Sequence, residues 1–282
     1  MSFEIIKSYA KINLSLNVIK RKSNNYHEIE SLVTFVKFSD KIKIKRINKK
    51  THNISFSGSF SKEIKKKNNT VIKLLKLLEK NNFLKKKFKI QIIKNIPQRS
   101  GMGGGSMNAA SILKYLMKKK MIKISNKKSK ELAYKIGSDV ILGLENKNMI
   151  LFKNGKTAPL NNKLNFHVLI VMPKFGCSTK NIFSRVKNFS KPMYFRKNKG
   201  FFKTKNIIDS NNDLEHIVFS KNLKIKNLKL FLSQLPSVVF TRMTGSGSAL
   251  VAYFKSKKTA KNAAKIFKSK YNGYWYTISK TI

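Results

Sequence analysis

Pro97-Gln98-Arg99-Ser100-Gly101-Met102-Gly103-Gly104-Gly105-Ser106-Met107-Asn108-Ala109-Ala110 is the stretch on which the reading of this chain turns. Before it, Phe88, Ile90 and Ile92 alternate with Lys89 and Gln91, which predicts a strand. After it, Ala110, Leu113, Leu116 and Met117 fall on one face of a predicted helix, with Ser106 available as its N-cap. Strand, glycine loop and helix start together form an anion site: glycine lets backbone approach closely, and the helix dipole favours negative charge there. A plain turn needs one or two glycines; here four fall within the five residues 101–105. No Gly-Lys-Ser/Thr follows, so this is not a Walker A loop. Ser106 stands where a dinucleotide fingerprint has its third glycine.

Composition bounds what surrounds the loop. A chain of 282 residues suits two modest domains or one large one. With 41% hydrophobic residues it can build a packed core, which excludes a disordered polyelectrolyte. The apolar run 168–172 falls far short of the ~20 residues of a membrane span. The start, Met1-Ser2-Phe3-Glu4-Ile5-Ile6, lacks the basic region and long apolar core of a signal peptide. One cysteine, Cys177, excludes an internal disulfide framework. The expectation is a cytoplasmic protein without a membrane partner. The net charge of +49 raises a nucleic-acid reading. The lysines are spread along the whole chain, however, with Asn and Ile also abundant, which points to compositional drift and to no specific nucleic-acid partner. Runs such as 62–67 and 85–87 read as loops or helix ends.

Along the chain, strands are predicted at 3–9, 12–19, 32–38, 41–47 and 149–152, with a turn at Asn154-Gly155. Helices are predicted at 70–78 and at 129–136, the latter stopped by Gly137 at C′. A second region carries strands at 166–172, 238–243, 249–254 and 274–278, and helices at 181–186, 221–234 and 259–269. The class is α+β in two halves, 1–156 and 157–282. Acids are scarce: twelve in all, four of them aspartates, Asp40, Asp139, Asp209 and Asp213. A general base must come from these or from the four histidines. Asp40, between Ser39 and Lys41, reads as a surface turn; Asp139 reads equally as a turn residue or as a base. Lys11, Asn13 and Ser15 share one face of an alternating strand, either a solvent face or a site face.

The loop pattern resembles the second motif of the GHMP small-molecule kinases. Ala10-Lys11-Ile12-Asn13-Leu14 resembles their first motif and Arg242-Met243-Thr244-Gly245-Ser246-Gly247-Ser248 their third. Gly137-Ser138-Asp139-Val140 is similar to a Gly-Ala-Asp-Val of the family. Asn25-Tyr26-His27-Glu28-Ile29-Glu30-Ser31 is similar to a Gly-Tyr-His-Glu-Leu segment of one branch, which acts on a cytidyl substrate. The resemblance implies an N-terminal domain like the second domain of ribosomal protein S5 and a ferredoxin-like C-terminal domain. It implies transfer of the γ-phosphoryl of ATP, with Mg²⁺ bridging the phosphates, to the 2-hydroxyl of 4-diphosphocytidyl-2-C-methyl-D-erythritol in non-mevalonate isoprenoid precursor synthesis.

The same resemblance implies the site. Asp139 is the base, paired with Lys11, which holds it ionised. Pro97, Gly101, Gly103, Gly104, Gly105, Ser106 and Asn108 hold ATP, with Gly245 and Gly247 approaching the phosphates from the second domain. Asn69 contacts adenine or, on its own reading, caps the helix at 70. Asn13, Tyr26, His27, Thr179 and Phe183 bind the cytidyl substrate. No metal-ligating set of side chains is implied. Four positions depart from the pattern: Met107 stands where a serine is usual, Ile141 where a proline is, Asn25 where a glycine is, and Val33 where an aromatic is common. Alternatives are a mevalonate- or homoserine-type kinase, a weakened nucleotide-binding relative and, from another class, a basic nucleic-acid-binding protein.

Overall fold

The computed structural model describes residues 2–24, 26–65 and 67–282. Asn25, and Lys66 of the 62–67 run, lie outside the described residues. The chain divides into two compact units, each drawn from separate stretches. The first comprises residues up to Lys11, Ser39–Gln98 and Gly103–Asn146; the second comprises Ile12–Phe38, Arg99–Met102 and Lys147–Ile282. Two of the junctions thus fall inside motifs, between Lys11 and Ile12 and between Met102 and Gly103.

In chain order the strands are β1 (Glu4–Asn13), β2 (Asn17–Arg21), β3 (His27–Ile47), β4 (Asn53–Ser57), β5 (Lys87–Ile93), β6 (Asn148–Leu151), β7 (Thr157–Leu160), β8 (His167–Met172), β9 (Phe240–Met243), β10 (Leu250–Phe254) and β11 (Trp275–Lys280). The helices are α1 (Thr70–Lys80), α2 (Gly104–Lys118), α3 (Asn126–Ile136), α4 (Thr179–Phe183), α5 (Thr204–Asp209), α6 (Leu214–Lys221), α7 (Leu223–Ser233) and α8 (Lys257–Lys270).

In the first unit, β5 pairs antiparallel with residues 41–47 of β3 and parallel with β4. Val71, Leu74, Leu75 and Leu78 form the buried stripe of α1, and Asn69 caps it by accepting from Val71 N–H and Ile72 N–H. In the second unit, residues 27–38 of β3 pair with β2 and β6, and β6 turns into β7 through Gly155 (φ +80°). A four-stranded antiparallel sheet runs in the order β11-β8-β10-β9. Its chain order, β8, helices, β9, β10, α8, β11, is the split β-α-β layout of the ferredoxin-like class. Its core joins Leu169, Val171, Leu250 and Ala252 to Leu214, Leu228, Leu232 and Phe267 of the helices.

Several expectations are corrected. The strands predicted at 32–38 and 41–47 are one 21-residue strand, β3. Asp40 is therefore no surface turn: it is 0% exposed, with Lys94 as its ion-pair partner and Asn95 N–H and Ile96 N–H donating to it. The first strand runs on to Asn13 and breaks at 14–16, so Ser15 lies beyond it. Both faces of 10–15 are buried, which removes the solvent-face reading of Lys11, Asn13 and Ser15. Helix α2 starts three residues early, capped by Gly103 (φ +67°), and Ser106 makes no cap bond. Gly137 ends α3 as the C-cap itself, in extended backbone, and not as a left-handed C′. Lys87 belongs to β5. The short elements β4, β7, α5 and α6 lack a long periodic pattern and were not anticipated. Among the described residues no helix is long and apolar enough to cross a membrane.

Candidate active site

In the first unit, β1 carries Lys11 inward: its side chain is 4% exposed and its Nζ lies 3.3 Å from Asp139 Oδ2. Asp139 sits in the turn after α3, closed by Val140 N–H to Gly137 O and continued by a buried 3-10 turn over Ile141–Leu144. That turn and the Lys11 contact orient Asp139 without a proline at 141.

The start of α2 abuts this ion pair. A Cβ placed on Gly103 would lie 3.1 and 3.2 Å from the Cγ and Cε of Lys11 and 3.4 Å from Asp139 Oδ2. The first turn of α2 holds no acidic residue, so its unpaired N–H groups and positive dipole end are free to receive an anion. Gly104 differs from Gly103: its missing Cβ faces Ile96 and Lys94 Nζ, both 3.1 Å away, which makes it a packing glycine. Lys94 is 3% exposed and burial pulls its pKa down, against the opposing pull of Asp40. Thr70 Oγ1 donates to Gly105 O at 2.6 Å, tying α1 to the loop.

Ser106 faces the α3 turn, its Oγ 4.0 Å from where a Gly137 Cβ would stand. Met107 is 1% exposed, with its sulfur 3.1 Å from a Cβ built on Gly143. The side chain at 107 therefore packs into the core against the 3-10 turn that follows Asp139. Asn108 is buried, and its Oδ1 has no partner among the described residues. Pro97 is buried where β5 leads into the loop. Asn69 uses Oδ1 for its cap and donates Nδ2 to Lys65 O, so its helix-cap reading is realised.

In the second unit, Asn13 is 3% exposed; its N–H donates to Thr244 Oγ1 at 3.1 Å and its Nδ2 to Ser31 Oγ at 2.8 Å. Gly101 (φ +76°) meets Thr244 so closely that a Cβ would sit 1.9 Å from the Thr244 carbonyl oxygen, and a Cβ on Gly245 would lie 3.0 Å from Gly101 O. Glycine at 101 and 245 is thus demanded first by backbone-to-backbone packing. Gly247 backs onto Met243 Sδ, 2.8 Å from its would-be Cβ. Thr179 Oγ1 and Ser246 Oγ are hydrogen-bonded at 2.9 Å. The His27 ring packs 5.3 Å from Phe183 and 6.5 Å from Phe189. Burial, then the charge of Arg21, lowers its pKa, so the ring is neutral near pH 7. His27 Nε2 is buried with no partner among the described residues. Tyr26 stays apart, 71% exposed.

Other side chains, without a motif of their own, hold these segments. Glu30, fully buried, accepts from Asn17 Nδ2, Met193 N–H and Tyr194 N–H. Asn212 and Glu215 grip β9 and the Thr244–Ser248 turn. A signal existed: with twelve acids in 282 residues, Asp213 and Glu215 two apart beside Asn211-Asn212 stand out.

The family description "GHMP kinases N terminal domain" matches residues 69–149, and "GHMP kinases C terminal" matches residues 202–273. A 4-diphosphocytidyl-2-C-methyl-D-erythritol kinase of Pelagibacter ubique is 49% identical over 278 residues, 98% of each chain. Among solved structures, a 4-(cytidine 5'-diphospho)-2C-methyl-D-erythritol kinase superimposes with a TM-score of 0.78 at 20% identity, covering 98% of this chain and 99% of that one. A homoserine kinase from Cytophaga hutchinsonii gives 0.68 at 14%, covering 100% and 97%. Both of these structural likenesses speak for fold.

Proposed function

From the premise that the chain belongs to the GHMP kinases, ATP-dependent small-molecule kinases with a two-domain mixed fold, we propose that it transfers the γ-phosphoryl of ATP to the 2-hydroxyl of 4-diphosphocytidyl-2-C-methyl-D-erythritol, in isoprenoid precursor synthesis. The 49% identity to an enzyme of that name, over nearly the whole of both chains, supports the substrate. The two matched segments fall one in each of the halves 1–156 and 157–282, which we take as the family's domains.

The observation that carries the chemistry is the Lys11–Asp139 pair standing in van der Waals reach of Gly103, the cap of α2. Phosphoryl transfer needs mostly positioning and neutralisation of charge. The open N-terminus of α2 supplies donors for the phosphates, and Gly103 admits them without a side chain in the way. Asp139 accepts the proton of the attacking hydroxyl; Lys11 fixes its carboxylate by contact at 3.3 Å. Asn13, in the second unit, binds the substrate. His27, neutral and with Nε2 unpaired, offers its ring nitrogen and a stacking face beside Phe183 to the cytosine base. Thr179, on the same helix as Phe183, adds to that side, and exposed Tyr26 is left to meet the base from solvent. Gly105, Asn108 and Pro97 shape the loop, and Asn69 flanks the adenine from its cap.

Among the described residues no cluster of three or more His, Cys, Asp or Glu side chains could hold a metal. Mg²⁺ keeps several waters and takes substrate phosphates with few protein ligands, so it needs no such cluster. The Ser106 hydroxyl, facing the turn that carries Asp139, is the side chain that would hold it. When bound it neutralises phosphate charge. The single cysteine, Cys177, suits a reducing compartment, and we place the protein in the cytoplasm.

A coupled ADP-release assay tests this proposal. Turnover with the cytidyl substrate and none with mevalonate or homoserine is expected. Turnover on mevalonate or homoserine alone would overturn the substrate while leaving the kinase.

A further inference from the structure

Phe189 belongs to no motif, yet its ring stands against His27. The two ring centroids are 6.5 Å apart and the planes lie 29° from parallel. Phe183 meets the same imidazole at 5.3 Å and 42°. All three residues lie in the second unit. Aromatic pairs settle with centroids roughly 4.5–7 Å apart, so at 6.5 Å Phe189 makes only a loose pair with His27. Its side chain is also 45% exposed. Burial therefore accounts for little of its placement.

The backbone beside this exposed ring is nonetheless firmly held. Ser190, the next residue, donates its N–H to Val18 O at 2.8 Å and its Oγ to Asp213 Oδ2 at 2.7 Å. The same carboxylate oxygen accepts Val18 N–H at 2.7 Å. A few residues on, Met193 N–H and Tyr194 N–H both donate to the buried carboxylate of Glu30. Val18 is in β2 and Glu30 in β3, the paired strands of the hairpin whose second strand begins with His27. The segment carrying Phe189 is thus tied at 190, 193 and 194 to the element carrying His27. A phenyl ring has two side-chain torsions, and one fixed at its backbone loses little freedom on meeting a flat ligand. Beside it, His27 Nε2 is buried without a partner among the described residues. Stacking surface and an unused ring nitrogen together suit a planar heterocycle that also hydrogen-bonds at its edge.

We propose that Phe189 is a further specificity-determining residue: its exposed ring stacks on the pyrimidine base that His27 and Phe183 receive, and the ties of 190, 193 and 194 to the β2–β3 hairpin keep it there. This inference rests on the proposal above that His27 meets the cytosine base.

The test uses the full chain as parent, Phe189→Ala, Phe189→Tyr and Phe189→Trp, with Tm recorded for each. The side chain is 45% exposed, so all three variants fold with Tm near that of the parent. In Phe189→Ala, KM for the cytidyl substrate rises about tenfold, the loss of one base–aromatic stack. KM for ATP and kcat stay within about two-fold. Phe189→Tyr keeps the ring and returns KM to the parent value. The emission that Phe189→Trp adds to that of Trp275 is quenched by cytidine 5'-diphosphate and not by ribose 5-phosphate, which lacks the base. A cytidyl KM within about two-fold of the parent in Phe189→Ala would overturn the role of Phe189 and leave that of His27. So would added emission in Phe189→Trp that is indifferent to cytidine 5'-diphosphate at a concentration saturating the parent by calorimetry. Equal rises in both KM values with a lowered Tm would make Phe189 structural and overturn the contact. A parent that does not bind cytidine 5'-diphosphate would overturn the reading of the His27 pocket, and this proposal with it.

Discussion

Gly103→Ala separates the site from the fold. The residue is left-handed, φ +67°, where a Cβ costs about 1–2 kcal/mol. The new methyl would stand 3.1 Å from Lys11 Cγ, 3.2 Å from Lys11 Cε and 3.4 Å from Asp139 Oδ2. These are tight contacts with flexible side-chain atoms, so the chain adapts by displacing Lys11 and the carboxylate a few tenths of an ångström. Against a total stability of about 5–15 kcal/mol the strain leaves the protein folded. Reaction rates feel the displacement more sharply, since about 1 Å of misplacement costs on the order of 100-fold. The expected outcome is a kcat about tenfold lower by ADP release, with Tm lowered by a few degrees. Gly104→Ala is the contrast: its methyl meets Ile96 and Lys94, so stability falls and kcat changes less. A folded Gly103→Ala protein with kcat within about two-fold of the parent would refute the placement of Gly103 against the reacting pair.

Three more outcomes follow from buried groups. His27→Ala should raise KM for the cytidyl substrate by about 1–3 kcal/mol in free-energy terms, the cost of one unmade buried hydrogen bond, and leave KM for ATP alone; equal rises in both would assign His27 a structural role. Asp40→Ala strands Lys94, 3% exposed, without its counter-charge and should cost about 3–5 kcal/mol in urea unfolding; a loss under about 1 kcal/mol speaks against the pair. His52 accepts Phe88 N–H on Nδ1, and burial lowers its pKa, so the unfolded chain binds the proton more tightly. Stability should therefore fall as pH drops below about 6.5, and His52→Phe should flatten that slope in pH-dependent unfolding; an unchanged slope assigns it to other groups.

What was legible in the sequence was local. The strand, glycine loop and helix lie within thirty-two residues, 87–118, and their alternation and periodicity are visible without tertiary contacts. Asp40 was misread because Ser39-Asp40 looks like a break between apolar runs. Yet Val36, Phe38, Asp40, Ile42 and Ile44 keep one period-two phase, and that phase is the continuous strand. Its partner Lys94 is 54 positions away, beyond any local window. The early start of α2 was hidden because glycine is a weak helix former, and only the packing of Gly104 and Gly105 against Lys94, Ile96 and Thr70 sets it. Asn69 showed the opposite case, where the plain helix-cap reading was already written in the residue. The clamp of Asn212 on Gly245 joins residues 33 apart through backbone carbonyls, for which no side-chain pattern exists.

The most direct measurement of the central claim is turnover by Asp139→Asn at saturating ATP and cytidyl substrate, with both affinities taken by calorimetry. The substitution keeps shape and removes the base beside Lys11. The account predicts binding of both ligands near the parent values and a kcat lower by about 10²–10⁴-fold. Turnover within a few-fold of the parent would contradict it, and would move the base away from the Lys11–Asp139 pair.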